Sequence, residues 1–102
     1  MIKVRVPTPL QQLTGGKKEV ELPVCDISVR ELVEKLEEAF PGVRERLLDE
    51  GGTIRRFINF YVNDEDIRFL EEENTHLRDG DVVSIVPAIA GGETDAAQRR
   101  PN

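Results

Sequence analysis

Apolar and polar residues alternate along several short stretches of the chain, which is the pattern of strands with one buried face. Residues 2–6, 20–24 and 82–86 show this alternation, and residues 56–62 are rich in aromatic and β-branched side chains. A short apolar stretch at 67–69 predicts one more strand, so the pattern predicts five strands in total.

A helical period replaces this alternation in the middle of the chain. Apolar residues between Val29 and Phe40 recur three and four positions apart, the spacing of a helix with one apolar face. Ser28 and Glu31 have capping-box spacing at its start, and a Pro-Gly pair ends it. Because such a helix must cover an apolar surface, we expect an α+β fold in which one main helix packs across a mixed sheet of about five strands.

Turn-forming residues separate these elements. Residues 13–17 contain a Gly-Gly pair and predict a hairpin connection between the first two strands, which should pair antiparallel. Residues 43–48 predict a second short helical turn, and another Gly-Gly pair at 51–52 opens a loop. Turns are also predicted at 63–66 and 79–81, which gives the element order β-β-α-β-β-β.

The two-residue period of a strand assigns each side chain to one face of the sheet. Ile58, Phe60 and Val62 form a wholly apolar set and should face the helix. Val83 and Ile85 on the last strand should face it too.

The opposite parity leaves a second set of side chains on the solvent side of the sheet. If the two strands are neighbours, these residues form an exposed and largely apolar patch, a feature that often marks a partner surface. Ordinary scatter of apolar residues over a surface is the alternative interpretation. The predicted partner surface consists of Phe57, Asn59, Tyr61, Val82 and Val86.

Composition narrows the class of protein. The chain has 102 residues, a net charge of −6 and 33% charged residues, which suggests one small domain. Excess negative charge argues against binding to nucleic acid, and no apolar run approaches the length of a membrane span. The single cysteine permits no internal disulfide, and the first residues lack the apolar core of a signal peptide. We expect a cytoplasmic protein that binds neither nucleic acid nor membranes.

Few residues suggest catalysis or metal binding. His76 has no accompanying cysteine or second histidine in its stretch and is expected to be a solvated loop residue. Cys25 has no local feature of an activated thiol and is expected to be a small packing residue. Residues 63–66 resemble part of a calcium loop but lack its glycine at the required position. The sequence therefore predicts no catalytic site and no metal site.

The last strand leads into residues with small side chains. Pro87 has no amide hydrogen to donate to a sheet ladder, so the regular strand should stop there. Residues 88–92 end in a third Gly-Gly pair. Residues 93–102 have no net charge and no apolar period, so we expect them to be disordered. The chain is thus divided into a domain at 1–92 with a flexible tail and an extension at 93–102.

Together these features resemble the β-grasp, ubiquitin-like sulfur carriers. The resemblance covers residues 1–92, and its densest parts are 14–17, 56–69 and 79–92. The family includes the small subunit of molybdopterin synthase and the carriers of thiamine and of cysteine synthesis. The middle segment of the chain is most similar to the carriers of cysteine synthesis.

The resemblance implies a chemistry at the C-terminus. In this family an E1-like adenylyltransferase and sulfurtransferase consumes ATP to convert the terminal glycine into an acyl-adenylate, and sulfur then displaces AMP to leave a thiocarboxylate. Gly92 would carry that group, and the carrier would bind no cofactor. Five tail residues span roughly 17 Å when extended, enough to reach a buried active site. The tail consists of Ala88, Ile89, Ala90, Gly91 and Gly92.

The resemblance leaves several partners open. A carrier for cysteine synthesis would give its sulfur to a pyridoxal-phosphate-dependent cysteine synthase. As the small subunit of molybdopterin synthase, the chain would insert its tail into the large subunit. A ubiquitin-like modifier would instead be joined through Gly92 to lysine side chains, and an interaction domain that is never processed is the remaining alternative.

The extension departs from the family pattern, because mature carriers end at the second glycine. With the peptide bond after Gly92 intact, there is no carboxylate to activate. We therefore expect a processing metalloprotease of the JAMM type, a zinc-dependent ubiquitin isopeptidase, to remove residues 93–102.

Overall fold

A mixed sheet of five strands carries the core, and one long helix lies across one of its faces. The computed structural model describes residues 1–87. This architecture confirms the predicted fold class, in which one main helix packs across a mixed sheet.

The central sheet has the strand order β2-β1-β7-β4-β5. Its strands are β1 (Ile2–Arg5), β2 (Glu19–Leu22), β4 (Ile58–Val62), β5 (Glu65–Asp66) and β7 (Val82–Pro87). The pairing of β1 with β7 is parallel and the other pairings are antiparallel. A separate two-stranded sheet is formed by β3 (Ile27–Ser28) and β6 (His76–Leu77).

Three helices and three 3-10 turns connect the strands of the described part of the chain. The helices are α1 (Thr8–Gln11), α2 (Val29–Ala39) and α3 (Val43–Leu47). The 3-10 turns are Gln12–Thr14, Ile67–Phe69 and Glu72–Asn74. Only α2 is long enough to cover the sheet.

Helix α2 begins with the predicted capping box. The Ser28 hydroxyl accepts a hydrogen bond from the Glu31 amide at 3.1 Å, and the Glu31 carboxylate accepts one from the Ser28 amide at 2.9 Å. Two amides that the helix itself cannot satisfy are thereby bonded. The helix buries a single stripe of Val29, Leu32, Val33 and Leu36.

The faces of the sheet follow the predicted parity. Phe60 and Val83 are buried to 1% and 0% exposure, and Ile85 to 5%. Val62 is buried beside them, and Ile58 is partly buried against the same core. Replacing a buried side chain of this size with alanine typically costs about 2–5 kcal/mol, so this face of β4 and β7 holds much of the stability.

The connection between β1 and β2 is longer than the predicted hairpin loop. It contains α1, which has a proline in its first turn, and then a 3-10 turn. The oxygen of the buried Thr14 hydroxyl lies within hydrogen-bond distance of carbonyls on both sides of that turn, 3.1 Å from Gln11 and 2.9 Å from Lys17, and its one hydrogen can be donated to either. Gly15 and Gly16 then adopt positive φ angles of 69° and 86°, which glycine tolerates best. The two strands still pair antiparallel as predicted.

The prediction of a strand at 67–69 is wrong. Asn63 and Asp64 adopt positive φ angles of 51° and 72°, the requirement of a two-residue hairpin turn, so β5 starts two residues earlier than predicted. The Asp66 carboxylate then accepts a hydrogen bond from the Arg68 amide at 2.9 Å. That bond caps a 3-10 turn at Ile67–Phe69 instead of a strand.

Two further expectations also need correction. His76 is exposed, as predicted, but belongs to strand β6 and not to a loop. Strands of two residues, such as β3 and β6, are too short to show a period in the sequence. Cys25 is exposed and therefore is not a packing residue.

Pro87 is the last residue of β7 and lies opposite Ile58 on β4. The strand therefore includes the proline at which it was expected to stop. Proline is tolerated at this position because pairs on an antiparallel ladder alternate between bonded and non-bonded, and a non-bonded pair needs no amide hydrogen.

The cap of α2 gives the first testable prediction. Ser28→Ala should lower the free energy of unfolding by about 1 kcal/mol, because the Glu31 amide loses its acceptor. Urea denaturation followed by circular dichroism measures the change. Ser28→Asp is the matched control, since its carboxylate can cap the same amide and should retain most of the stability. An alanine variant as stable as the parent would show that the cap contributes nothing.

Candidate functional site

Strand β7 ends at Pro87, the residue before the predicted tail, and we call Pro87 the root of the tail. The Ile58–Pro87 pair lies at the end of the sheet where β4 begins. The tail residues Ala88 to Gly92 and the extension at 93–102 lie outside the described residues, so their roles stay predictions. What the structure positions is the surface around Pro87.

Residues of the predicted partner surface lie together around the outer side of β4 and β7. Asn59 is directly opposite Val86 across these neighbouring strands. Tyr61, two residues along β4, and Val82, at the start of β7, are partly exposed. Phe57 lies in the turn before β4 and is 60% exposed, while Val86 is 41% exposed. We call these five residues the outer patch.

Cationic side chains border the outer patch. The Arg56 guanidinium lies 5.8 Å from the centre of the Phe57 ring, a cation–π contact worth about 0.5–1 kcal/mol at an exposed site. On the other side, Lys3 and Arg5 of β1 each lie 3.8 Å from the Glu19 carboxylate. The border of the patch is therefore of mixed charge, because Glu19 lies beside both cations of β1.

Asp66 and Arg68 form an ion pair that was not predicted from the sequence. It lies at strand β5, beside the outer patch. Asp66 lies opposite Tyr61, is 9% exposed, and accepts two hydrogen bonds from the Arg68 guanidinium at 2.6 and 3.0 Å through one oxygen. These bonds to Arg68 lower the pKa of Asp66 and raise the pKa of Arg68. A carboxylate and an arginine two residues apart, directly after a hairpin turn, are the signal that could have indicated this pair.

A pocket of about 200 Å³ lies beside the root of the tail. It separates the segment at 53–56 from the segment at 66–73. Ile58, Phe60 and Ile67 supply apolar side chains to its lining. Its charged lining residues are Arg55, Arg56, Asp66, Arg68, Glu72 and Glu73.

Hydrogen bonds of the Asn63 side chain fix β4 relative to β7 at the end of the two strands away from Pro87. The Asn63 amide group donates to the Asp81 carboxylate at 3.0 Å, and the Asn63 side-chain oxygen accepts from the Val82 amide at 3.0 Å. The backbone amide of Asn63 also donates to the Val82 carbonyl at 2.8 Å. With the register fixed there, the position of Pro87 relative to β4 follows.

The remaining polar candidates, His76 and Cys25, are both exposed side chains. His76 Nε2 lies 3.3 Å from the Asp26 carboxylate, and both side chains are largely exposed. Cys25 is also exposed. Within residues 1–87, no three or more His, Cys, Asp or Glu side chains are grouped so that they could hold a metal ion.

Among the residues that the structure describes, no helix has both the length and the apolar character needed to cross a bilayer.

A helix laid across a mixed sheet, with the first and last strands parallel and adjacent, defines a ubiquitin-like β-grasp protein. Comparison with known proteins gives the family. The model of the ThiS family matches residues 4–92. The chain belongs to the ThiS family, which confirms the resemblance to ubiquitin-like sulfur carriers.

Three similar proteins illustrate the relationship. The sulfur carrier protein CysO of Mycobacterium tuberculosis is 42% identical over 93 residues, covering 89% of this chain and 98% of CysO. The crystal structure of the BexX/CysO complex of Amycolatopsis orientalis contains a chain with 41% identity and a TM-score of 0.81, covering 90% of this chain and 100% of that one. Small archaeal modifier protein 3 of Haloferax volcanii is 33% identical over 91 residues, covering 89% of this chain and 98% of the modifier.

The Asp66–Arg68 pair predicts a pH dependence of stability. Because the pKa of Asp66 is lower in the folded chain, its contribution is complete above its unfolded pKa of about 3.9 and is lost as the pH falls through the folded value. Asp66→Asn should therefore unfold at lower urea than the parent at neutral pH, and the difference should shrink in acid.

Glu65→Gln is the matched control for this experiment, because Glu65 is the exposed neighbour of Asp66 on β5. It should shift the urea midpoint little at either pH. A difference between Asp66→Asn and the parent that keeps its size in acid would contradict the role given to the ionised carboxylate.

Proposed function

We propose that this protein is a sulfur carrier that delivers sulfur as a thiocarboxylate on Gly92. The observation that carries the proposal is the family match over residues 4–92, joined to 42% identity with a protein named as a sulfur carrier. The match ends at Gly92, the residue that would bear the reactive group. This supports the interpretation of residues 93–102 as a segment that is removed.

The chemistry starts from a carboxylate, which is a poor electrophile. In the activating enzyme, an oxygen of the Gly92 carboxylate attacks the α-phosphorus of ATP and pyrophosphate leaves, which forms the acyl-adenylate. A sulfide-level sulfur nucleophile then attacks the acyl carbon, and AMP leaves with the bonding electron pair. The product is a thiocarboxylate, and ATP is consumed by the activating enzyme without a cofactor bound to the carrier.

The outer patch is proposed as the surface that docks on the E1-like activating enzyme. The tail must enter a narrow active site while the folded body stays outside, so a docking surface is most useful next to the root of the tail. Val86 is adjacent in sequence to Pro87, and Phe57 precedes Ile58, the residue opposite Pro87. Both side chains are exposed, and apolar side chains grouped on one exposed surface often mark a site of protein–protein contact.

Cysteine synthesis is the proposed destination of the sulfur. The similarity to CysO supports this choice, because the match covers 98% of that protein. The acceptor would be a pyridoxal-phosphate-dependent cysteine synthase, in which the thiocarboxylate sulfur replaces the leaving group of an activated serine. The CysO chain in the Amycolatopsis complex has a protein partner, which supports delivery through a protein–protein complex.

Protein modification is the second candidate function. The observation that favours it is the 33% identity with small archaeal modifier protein 3. Both functions need the same adenylation of Gly92, but a modifier would transfer its acyl group to the amine of a target lysine. Lysine-linked adducts in the native cell would favour modification, whereas a C-terminal thiocarboxylate would favour sulfur transfer.

Either function requires a free carboxylate at Gly92. The proposed processing enzyme is a JAMM-type metalloprotease that cleaves the bond after Gly92. In the full chain this bond is an amide, so the activating enzyme has no carboxylate to adenylate.

Intact-mass measurement tests the proposed function. A chain that ends at Gly92 is incubated with its cognate activating enzyme, ATP and sulfide, and one C-terminal oxygen should be replaced by sulfur. The full chain should stay unchanged until a protease removes residues 93–102. A chain ending at Gly92 that forms neither an adenylate nor a thiocarboxylate would refute the proposal.

Val86→Asp, in the chain that ends at Gly92, tests the docking role. Placing a carboxylate in the outer patch should reduce the kcat/KM of activation by about tenfold, because one apolar anchor is lost and a charge must be desolvated. Glu38→Gln on the exposed face of α2 is the control and should activate at the parent rate. Unfolding midpoints of both variants check that the fold is intact, and activation of Val86→Asp at the parent rate would contradict the docking role.

A further inference from the structure

We propose that, in the chain before processing, the extension at 93–102 docks across the pocket beside the root of the tail. This pocket has a volume of about 200 Å³ and lies between the segments at 53–56 and 66–73. Its proposed occupant is therefore a segment of the same chain. The inference goes beyond the proposed function, which concerns the chain after the extension has been removed.

The two sides of the pocket carry charges of opposite sign. Arg55 and Arg56 lie on one side, and Glu72 and Glu73 lie on the other. A small anion or a small cation would be attracted by one side and repelled by the other. The pocket therefore suits a segment that carries both signs.

These four charged side chains form no salt bridge within residues 1–87. Arg55 Nε donates to the carbonyl of Glu45 at 2.8 Å, which is a neutral acceptor, and Arg56 lies over an aromatic ring. By contrast, Asp66 and Arg68, which also line the pocket, form an ion pair with each other at 2.6 Å. Two positive and two negative side chains thus remain for an occupant.

The extension carries the complementary charges in the complementary order. Glu93 and Asp95 come first along the chain, and Arg99 and Arg100 follow. The two acidic residues can pair with the arginine side of the pocket, and the two arginines with the glutamate side. Residues 96–97, both alanine, lie between the two charged pairs and would cross the mouth of the pocket.

The interior of the pocket suits small apolar side chains. Ile54, Ile58, Phe60 and Ile67 supply its apolar lining. Its volume of about 200 Å³ is below the range of about 300–1,000 Å³ that is usual for small-molecule sites. A peptide segment with alanine side chains is therefore a better match than a bound metabolite.

The position of the pocket brings it within reach of the extension. Ile58, which lines the pocket, is paired with Pro87, the root of the tail. The six residues from Ala88 to Glu93 span up to roughly 20 Å, and glycine at 91 and 92 permits the chain to turn back. So short a connection gives the extension an effective concentration in the millimolar range at the pocket. Several exposed ion pairs, each weak alone, are then sufficient for docking.

Docking of the extension also affects the outer patch. Arg56 lies over the ring of Phe57, a residue of that patch, so an extension paired with Arg56 lies at the border of the patch. Removal of residues 93–102 would then free the Gly92 carboxylate and uncover this border at the same time. This consequence rests on the proposed function, whereas the docking itself does not.

Paramagnetic relaxation in the full chain tests the docking. A nitroxide is attached to Gln98→Cys in a Cys25→Ser background, because the exposed Cys25 thiol would also be labelled. The label should broaden the amide signals of 54–58 and 67–73 at least about fivefold more than those of β2, because the tethered extension occupies the pocket most of the time. Strand β2 is the reference because it lies three strands away from β4, with about 4.8 Å between neighbouring strands. At about 1 M salt, where the Debye length is about 3 Å, the difference should largely disappear.

An exchange of charges identifies the residues that hold the extension. Arg55→Glu with Arg56→Glu should abolish the extra broadening at the pocket, because both acidic residues of the extension are then repelled. Adding Glu93→Arg with Asp95→Arg to the same chain should restore it, since the two signs have been exchanged. Unchanged broadening in the Arg55→Glu/Arg56→Glu variant would overturn the proposal, as would equal broadening of the pocket and β2 amides in the parent.

A matched variant controls for the change in net charge. Lys17→Glu with Lys18→Glu makes the same change as Arg55→Glu with Arg56→Glu, at two exposed positions before β2. It should show the broadening of the parent. The dispersion of the amide signals establishes that every variant is folded.

The extension of a second copy is the competing occupant. A mixture of isotope-labelled chains without the nitroxide and unlabelled chains with it should show no broadening at the pocket, and broadening there would overturn the proposal in favour of a dimer. Thiocarboxylate formation is measured on the chain that ends at Gly92 and does not involve the extension. Absence of docking together with normal thiocarboxylate formation would therefore overturn this inference and leave the proposed function intact.

Discussion

The position of β7 between β1 and β4 is the constraint on which the rest of the molecule depends. Val83 pairs with β1 on one side and with β4 on the other, and Ile85 pairs with Phe60. Because side chains alternate between faces, a slip of one residue would turn Val83 and Ile85 toward solvent and bring Ser84 into the core. The core therefore fixes the register, and the register places Val86 and Pro87 at the other end of the strand.

Two sets of local hydrogen bonds support this register, one at the start of α2 and one at the start of β7. The capping box starts α2 at Ser28, so that the apolar stripe of the helix covers the face that β7 contributes to. The Asn63 side chain bonds both Asp81 and the first amide of β7, which fixes where the strand begins. A strand advances about 3.3 Å per residue, so fixing its first residue also determines where Pro87 lies on the sheet.

The sequence predicted the elements whose signals are local and repeated. The stripe of α2, its cap and the parity of β4 and β7 could be predicted because each involves several residues at a constant spacing. The turn at Ile67–Phe69 could not be predicted in this way. Its two apolar residues are two positions apart, which is also the spacing on one face of a strand, and the cap by the Asp66 carboxylate is what distinguishes the turn from a strand. Strands of two residues, such as β6, likewise have no period to detect.

The outer patch could be predicted from the sequence better than the other parts of the surface. The two-residue period alone predicted that Asn59, Tyr61, Val82 and Val86 face away from the helix. Only the structure establishes that β4 and β7 are neighbours, so that these side chains lie on one surface. The exposure of Phe69 was not predictable, since it depends on a turn that the sequence analysis assigned to a strand. The predicted tail lies outside the described residues, and its assignment still depends on composition and family.

A carrier must leave one enzyme before it can serve the next, which limits how strongly each contact can bind. Small interfaces suit such encounters, and those below about 1,200 Å² are typical of transient complexes. Charges around a small apolar anchor mainly accelerate association and are screened by salt, so they add speed without a long-lived complex. The net charge of −6 has a further effect, because it makes copies of the carrier repel one another while they remain attracted to basic surfaces. A small apolar surface and a high net charge would together suit a carrier that exchanges rapidly between partners.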